Sequence, residues 1–264
     1  MFQKQILSWW EKNKRDLPWR HTHDPYKILV SEVMLQQTQV SRGQLKYLEF
    51  IQTFPTVEAL ASSSPAQVLR IWKGMGYNRR ALYLQKAARV IVDIYKGRFP
   101  DTEQELIKLP GLGRYTARAI LVFAYKKDIA MVDTNIRQII THFFLHDIPQ
   151  SEKIIQEVAD QLVPKGKSWE WHQALMDYGA LELVKKKLSK AKSRPAGPFK
   201  ETNRYFRGRM LDLLREKEWK RNYFYKKMIT LYGKDIDFYS DMLKGLEKDG
   251  LISSSKTDII SLPE

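Results

Sequence analysis

Two short segments of the sequence carry residue types that could do chemistry. In "LPGLGRYTARAI", residues 109–120, Gly111 and Gly113 flank a single leucine just before a helix-forming stretch. Glycine allows positive φ and close backbone approach, and backbone N–H groups at the start of the following helix can hold a phosphate. A tight connection between two helices would use the same glycines, so the pattern alone leaves both interpretations open.

The second segment is "SEVMLQQTQV", residues 31–40, which holds one carboxylate, Glu32, among a run of amides. Its apolar residues are predicted to form one surface of a helix: Val33, Met34, Leu35 and Val40. Taken alone, Glu32 fits an ordinary solvated helix residue. Another carboxylate, Asp133 in "VDTNIRQ", lies at a predicted helix start, where aspartate commonly serves only as an N-cap.

The composition excludes several classes of protein. The chain has 264 residues, 43% of them apolar, with 7 Trp, 13 Tyr and 11 Phe, which argues against disorder. No apolar run has the length of a membrane span, and the first residues lack the features of a signal peptide. There is no cysteine, which excludes disulfides and thiolate-held metal or iron–sulfur clusters. We therefore expect a cytoplasmic protein that does not contact membranes.

The charge of the chain favours a polyanionic partner. There are 45 Lys and Arg residues against 30 Asp and Glu, a formal net charge of +15 with a pI near 9.7. Such an excess attracts nucleic acid through phosphate neutralisation and counterion release. Composition does not show where the charges lie, so a generally basic soluble protein is the alternative.

The predicted elements are nearly all helical. Helical spacing or punctuation by Pro, Ser and Gly indicates helices at about 3–14, from Asp24-Pro25 onward, and at 43–53, 56–62, 65–72, 79–96, 133–145, 151–163 and 170–187. Residues 189–203 have the composition of a linker. The tail has three amphipathic segments followed by two short β-like runs, which predicts a winged-helix-like module. Such a module could bind DNA or serve only as a packing domain.

Several motifs together resemble one family. "LPWR", "DPYKILVSEVMLQQTQV", "GMGYNRRA", "LPGLGRYTARAI", "VDTNIRQ" and "HQALMDYGAL" are similar to motifs of the helix-hairpin-helix DNA glycosylase superfamily, in its MutY-like adenine glycosylase branch. The similarity covers about residues 1–182. It implies a mainly α, two-lobed fold, with a six-helix barrel at 25–131 and a second lobe from 1–24 and 132–190. A linker at 191–203 and a small winged-helix-like C-terminal module at 204–264 would follow.

The resemblance also implies a mechanism in a cleft between the two lobes, with Glu32 and Asp133 on opposite walls. Glu32, its pKa raised in an apolar pocket, would protonate N7 of the extruded base. Asp133 would stay ionised at a helix N-terminus and stabilise the positive sugar carbon, while Asn135 helps to orient the site. The resemblance thus implies a base-excision-repair enzyme that hydrolyses the N-glycosidic bond of adenine mispaired with 8-oxoguanine or guanine.

Tyr115 bears on both mechanism and substrate. Relatives that resemble endonuclease III carry lysine here and form a Schiff base that leads to strand cleavage. A phenol cannot form an imine, so a monofunctional glycosylase is expected. Thymine glycosylases of archaea that act on G·T mismatches carry tyrosine here, whereas many adenine glycosylases carry serine. Removal of thymine or uracil from G·T and G·U mismatches is therefore the alternative, and a non-catalytic DNA-binding protein is a second one.

The resemblance extends to DNA contacts. Gln36 and Gln37 would enter the base stack and replace hydrogen bonds that a flipped base leaves behind. Tyr77 would lie beside the opposing purine. The full set predicted to contact DNA is Gln36, Gln37, Thr38, Tyr77, Arg79, Arg80, Gly111, Gly113, Arg114, Lys185, Lys186 and Lys187.

The sequence departs from the family at two places. Most relatives hold a [4Fe–4S] cluster on four cysteines, but the corresponding segment here is rich in lysine, so we expect no cofactor, with a monovalent cation on hairpin carbonyls as a family analogy only. The tail is too short for the Nudix-like domain of many members, which predicts weaker discrimination of 8-oxoguanine. The expected partner is mispaired double-stranded DNA, bound by a monomer at the nucleoid.

Overall fold

The computed structural model describes residues 1–183 and 198–264. Within these ranges the fold is mainly helical, as predicted. The helices before the gap are α1 (Phe2–Asn13), α2 (Pro25–Leu35), α3 (Val40–Thr53), α4 (Val57–Ser62), α5 (Pro65–Ile71), α6 (Arg79–Asp93), α7 (Glu103–Leu106), α8 (Arg114–Phe123), α9 (Thr134–Phe144), α10 (Glu152–Leu162) and α11 (Ser168–Tyr178). A 3₁₀ turn covers Pro18–Arg20, and a π-helical turn, Gly179–Leu183, follows α11.

After the gap the chain forms a 3₁₀ turn (Phe199–Glu201), α12 (Asn203–Glu216), β1 (Trp219–Lys220), α13 (Arg221–Tyr232), α14 (Ile236–Lys248), β2 (Ser253–Ser254) and β3 (Ile259–Ser261). The strands form an antiparallel sheet in the order β1-β3-β2, with Trp219 opposite Ile260. This is the element order of a winged-helix module. The short strand β1 is an addition to the three helices and hairpin that the sequence predicts.

Local capping residues explain where several helices begin. Asp24 accepts a hydrogen bond from the Tyr26 N–H at 2.9 Å, and Pro25 occupies the first position of α2. Ser64 and Gln67 form a reciprocal capping box at the start of α5. These starts follow from short-range sequence signals, and the one at α2 agrees with the prediction.

The segment 31–40 is not one helix, contrary to the prediction. Helix α2 ends at Leu35, and Gln37 adopts a positive φ of 54°, so the backbone turns there before α3 begins at Val40. A left-handed residue cannot continue a right-handed helix. Val40 therefore lies on a different helix from Val33, Met34 and Leu35.

The chain divides into two compact units, each built from two separate stretches. The first unit comprises Met1–Gln36 and the described residues of Arg98–Ser193; the second comprises Gln37–Gly97 and the described residues of Arg194–Glu264. In the first, α2 packs on α8 and α1 packs on α11. These boundaries differ from the predicted domains, because α2, α7 and α8 group with α1 and α9–α11.

The first unit is held together by a buried carboxylate on α11. Asp177 is fully buried and accepts a hydrogen bond from the Trp10 indole at 3.0 Å. It also accepts from Arg15 and, through both oxygens, from Arg20 at 2.8 Å. Bidentate arginine–carboxylate pairs fix orientation as well as charge. This cluster ties the N-terminal segment to α11. Burial raises the pKa of Asp177, but the hydrogen bonds and charges of Arg20 and Arg15 together outweigh it and hold this pKa below its ordinary value.

In the second unit, α4 packs on α6, and α12 of the C-terminal module packs on α5. Arg215 of α12 donates hydrogen bonds to the Leu69 carbonyl and to the Asn78 side chain, both at 2.9 Å. The module's own core includes Phe224 and Tyr239. The contacts of Arg215 make the module part of this unit.

Some of the residues singled out in the sequence are not among those that the structure describes. Lys185, Lys186 and Lys187 and most of the predicted linker lie outside the described residues. None of the helices in residues 1–183 and 198–264 has the length and apolar character needed to cross a membrane.

Candidate active site

Glu32 lies on the buried side of α2 and is only 6% exposed. Burial disfavours the ionised carboxylate and raises the pKa of Glu32 from 4.5 to about 7. A hydrogen bond from the Tyr115 hydroxyl lowers this pKa in part, and the nearby charge of Asp133 raises it further. At neutral pH Glu32 can therefore hold a proton and donate it inside the protein. It is not a solvated residue on the helix surface.

The hairpin between α7 and α8 brings Tyr115 to Glu32. Gly111 has a φ of +79°, which favours glycine in the turn, whereas Gly113 has an ordinary φ of −99° and open space where a Cβ would be. Tyr115 is the second residue of α8, and α8 packs directly on α2. Burial and the two neighbouring carboxylates raise the pKa of Tyr115 well above its ordinary value, so the phenol stays protonated and donates to Glu32.

Asp133 is the N-cap of α9, as predicted. Its carboxylate accepts hydrogen bonds from the Ile136 N–H at 2.7 Å and from the Asn135 side-chain amide at 2.9 Å. These bonds and the charge of Arg15 lower its pKa, but burial outweighs them, and the net pKa lies above the ordinary value. The hydrogen bonds at the helix N-terminus favour the ionised form of Asp133, but desolvation by burial has the larger effect on its pKa.

Asn135 is held in place by a glycine that sequence reasoning did not identify. A Cβ built on Gly179 would lie 2.6 Å from the Asn135 Cβ, closer than any side chain tolerates. Gly179 begins the π-helical turn after α11, so the shape of that turn sets the position of the amide that contacts Asp133. The motif "MDYGAL" contained this glycine, but nothing local marks its contact with a residue 44 positions earlier.

Arg15 is a second contributor that sequence reasoning missed. It is oriented by two hydrogen bonds to Asp177 and carries the charge that lowers the pKa of Asp133. The signal was present in "RDLPWR" and "MDYGA", but the pairing spans 162 residues. Long-range pairing of this kind leaves no periodicity in the sequence.

The structure thus brings four predicted residues together in one unit: Glu32, Tyr115, Asp133 and Asn135. The sequence-based prediction assigned α2 and α8 to the barrel and α9 to the second lobe, whereas all three belong to one compact unit of the structure. Two interacting carboxyl groups with different environments can divide the tasks of acid and anion. Such a pair is suited to cleavage through a cationic intermediate.

Three of the predicted DNA-contacting residues, Gln36, Gln37 and Thr38, lie in the turn that follows α2. Gln36 is the C-cap of α2, and Gln37 is exposed at the left-handed turn. In the second unit, Arg80 donates to the Thr38 hydroxyl at 3.3 Å and to the carbonyls of Met75 and Gly76. Arg80 is enclosed, and burial lowers its pKa to about 10, so it braces the backbone and is not a solvated helix residue.

Tyr77 and Arg79 are more accessible than Arg80. Tyr77 has a positive φ of 45° and a side chain that is 43% exposed. Arg79 donates to the Tyr83 hydroxyl at 2.8 Å and pairs with Asp249 at 3.3 Å. In the hairpin of the first unit, Arg114 pairs with Glu103 at 2.7 Å.

No metal site is evident among residues 1–183 and 198–264: no group of three potential His, Asp or Glu ligands comes together there. His142 instead contacts Asp147 at 3.0 Å. The chain contains no cysteine, so its residues do not fit the thiolate-held cluster that the sequence resemblance brings into question. A monovalent cation on the hairpin carbonyls stays a prediction.

Comparison with known families decides the assignment of the fold. The model of the HhH-GPD superfamily of base excision DNA repair proteins matches residues 30–165. The chain belongs to the HhH-GPD superfamily. The matched range contains Glu32, Tyr115 and Asp133, so the carboxyl pair lies inside the superfamily domain.

Individual HhH-GPD relatives support the same assignment. The chain is 38% identical over 234 residues to an adenine DNA glycosylase of Mycolicibacterium smegmatis, covering 80% of each protein. It is 34% identical over 191 residues to a thymine/uracil-DNA glycosylase of Methanothermobacter thermautotrophicus, covering 71% of this chain and 86% of that protein. A solved thermostable thymine-DNA glycosylase superposes with a TM-score of 0.65 at 32% identity, over 76% of this chain and 90% of that one.

Proposed function

We propose that the protein is a monofunctional DNA glycosylase that hydrolyses the N-glycosidic bond of adenine mispaired with 8-oxoguanine or guanine. The observation that carries the proposal is the buried Glu32, with a pKa of about 7, interacting with Asp133. The adenine DNA glycosylase relatives, at 35–38% identity, support adenine as the base. The same proposal places the protein with chromosomal DNA.

The reaction would divide between the two carboxyl groups. Glu32 donates its proton to N7 of the flipped adenine, which makes the base a better leaving group as the C1′–N9 bond breaks. Asp133, as the carboxylate, stabilises the positive sugar carbon that remains. Water then adds to this carbon, giving an abasic site, and the proton it loses restores Glu32. Asn135 orients Asp133 through their hydrogen bond of 2.9 Å.

Tyr115 would keep the reaction at the hydrolysis stage. Its hydroxyl is committed to Glu32, and a phenol has no amine with which to form an imine on the sugar. Strand cleavage by elimination from a Schiff base therefore has no nucleophile at this position. We expect abasic DNA as the product, with the strand intact.

DNA binding would use the turn at 36–39 and the hairpin. The positive φ of Gln37 projects the exposed amide from the end of α2, close in sequence to Glu32. Amides can donate to and accept from base edges, and flipping costs a few kcal/mol that such contacts offset. The start of α8 after Gly113 offers backbone N–H groups to a phosphate. Mispaired double-stranded DNA bound by a monomer is the proposed substrate complex.

Removal of thymine or uracil from G·T and G·U mismatches is the second candidate. Tyr115 favours it, together with the 32% identity to the solved thymine-DNA glycosylase. Thymine and uracil lack the N7 that Glu32 would protonate, so this reaction would depend more on Asp133. Competing substrates therefore distinguish the two candidates.

The test is base release from four duplexes that differ in one pair: A·8-oxoguanine, A·G, T·G and U·G. Single-turnover incubation followed by alkali converts each abasic site to a strand break. Cleavage of the A-containing strands supports the adenine proposal, and cleavage of only the T- and U-containing strands replaces it with the second candidate. Asp133→Asn serves as the inactive variant, and Asp101→Asn, at an exposed aspartate of the same unit, is the matched control. Lack of product from all four duplexes would refute both glycosylase candidates and leave the non-catalytic DNA-binding protein as the alternative.

A further inference from the structure

A basic cleft in the second unit has no role in the chemistry described above. It has a volume of about 990 Å³ and lies between residues 74–83 and the C-terminal module. Eight arginine or lysine side chains line it, against two aspartates. The surplus of positive charge and the open shape fit an extended polyanion.

The two aspartates do not neutralise the cleft. Asp249 pairs with Arg79 and Arg207, and Asp212 pairs with Arg209 and Arg215. Arg42 and Arg204 are exposed and form no ion pair with a carboxylate in the described part of the chain. Their charges are thus available to a ligand.

Arg204, at the start of α12, is oriented before any ligand arrives. Its guanidinium carbon lies 4.2 Å from the centroid of the Tyr77 ring, and its Nη1 donates to the Tyr77 hydroxyl at 3.2 Å. The Phe199 ring lies 5.8 Å away from the same group. Because the side chain is already held, less conformational entropy is lost when it contacts a phosphate.

Helix α14 is a poor candidate for the DNA contact of the module. In helix-turn-helix proteins the second helix of the motif enters the major groove, and in this module that position belongs to α14. However, α14 begins with exposed acidic residues, Asp235 and Asp237, and carries Asp241 one turn later. Acidic side chains repel phosphates, whereas α12 contributes Arg204, Arg207 and Arg209 to the lining of the cleft.

We propose that this cleft binds the phosphate backbone of DNA, and that the C-terminal module contacts DNA through the start of α12 and not through α14. The identity of DNA as the polyanion rests on the proposed function. Backbone contacts of this kind carry no base information, so they add affinity to every duplex alike. The module would then add contacts to the DNA backbone.

The experiment is a salt titration of affinity for an undamaged, fully paired duplex, followed by fluorescence anisotropy. Each phosphate contact contributes about 0.9 to the slope of log K against log salt. The double variant Arg42→Gln/Arg204→Gln should flatten the slope by about 1.8. Over a fourfold rise in salt, the factor by which the affinity of the unaltered protein falls should therefore be about 12 times the factor for the variant. The matched control is Lys244→Gln/Lys248→Gln, which removes two exposed charges from α14 and should leave the slope unchanged.

Parallel slopes for the cleft variant and the unaltered protein would overturn the proposal, as would equal flattening by the α14 control. The measurement involves no base release, so it fails or succeeds separately from the glycosylase assay. All four replaced residues are exposed, and far-UV circular dichroism verifies that both variants are folded.

Discussion

Replacing Glu32 by glutamine should abolish base release and at the same time stabilise the protein at neutral pH. Glutamine keeps the size of the side chain and can still accept a hydrogen bond from Tyr115, but it has no carboxyl to ionise. The buried carboxyl of Glu32, by contrast, either keeps its proton in the folded state or carries a charge that water no longer hydrates, which costs free energy. Activity and stability are thus expected to change in opposite directions at one residue.

The size of the stabilisation follows from the pKa of Glu32. The unfolded chain ionises this carboxyl near 4.5, whereas the folded protein keeps the proton up to a pKa of about 7. Between these values the folded state binds more protons, so the free energy of unfolding falls as pH rises, by at most about 1.4 kcal/mol per pH unit. Glu32→Gln has no carboxyl to ionise, so its free energy of unfolding does not fall in this way. The excess of its free energy of unfolding over that of the unaltered protein should be near zero below pH 4.5 and reach about 3 kcal/mol above pH 7.

Urea denaturation, followed by tryptophan fluorescence at several pH values from 4 to 8, measures the difference. The informative quantity is the free energy of unfolding of Glu32→Gln minus that of the unaltered protein, plotted against pH. Glu152→Gln, at a carboxylate on the surface of α10, controls for the loss of one charge. A difference that stays constant over the whole range, or grows toward acid pH, would refute the assignment of a raised pKa to Glu32.

Four further predictions concern the same machinery. Asp133→Asn should lower single-turnover base release at least about a hundredfold while duplex affinity is retained; unaltered rates would contradict its role. Tyr115→Phe removes a hydrogen bond that lowers the pKa of Glu32, so the rate should begin to fall at a higher pH than in the unaltered protein, and borohydride should trap no adduct with either. Gly179→Ala should displace Asn135 and slow base release about tenfold without weakening duplex binding; an unchanged rate would show that the 2.6 Å approach is relieved elsewhere. Changing Lys185, Lys186 and Lys187 together to Gln should flatten the salt slope of duplex affinity by about 2–3, whereas parallel slopes would show that these lysines are solvated.

Short-range signals predicted much of the fold and part of the site. Asp24-Pro25 marked the start of α2, and Asp133 was correctly placed as the N-cap of α9. Such signals act over a few residues, so the sequence contains them directly. The order of motifs then indicated the superfamily that the comparison confirms.

Features that depend on distant residues could not be predicted in this way. The contact of Gly179 with Asn135 and the stacking of Arg204 on Tyr77 join residues far apart in the chain. The raised pKa of Asp133 is a second example, because its helix position favours ionisation and only burial reverses the balance. The turn at Gln37 was missed for another reason, since polar residues between two apolar runs fit a helix surface as well as a break.

The pairing of Trp10, Arg15 and Arg20 with Asp177 has a consequence during synthesis of the chain. A ribosome adds about 5–20 residues per second, and Arg15 precedes its partner by 162 residues. The nascent N-terminal segment must therefore wait roughly 8–32 seconds before its buried acceptor exists. Residues 37–97, which belong to the other unit, emerge in the meantime. Until then the Trp10 indole and the two arginines lack the carboxylate acceptor that they have in the folded protein.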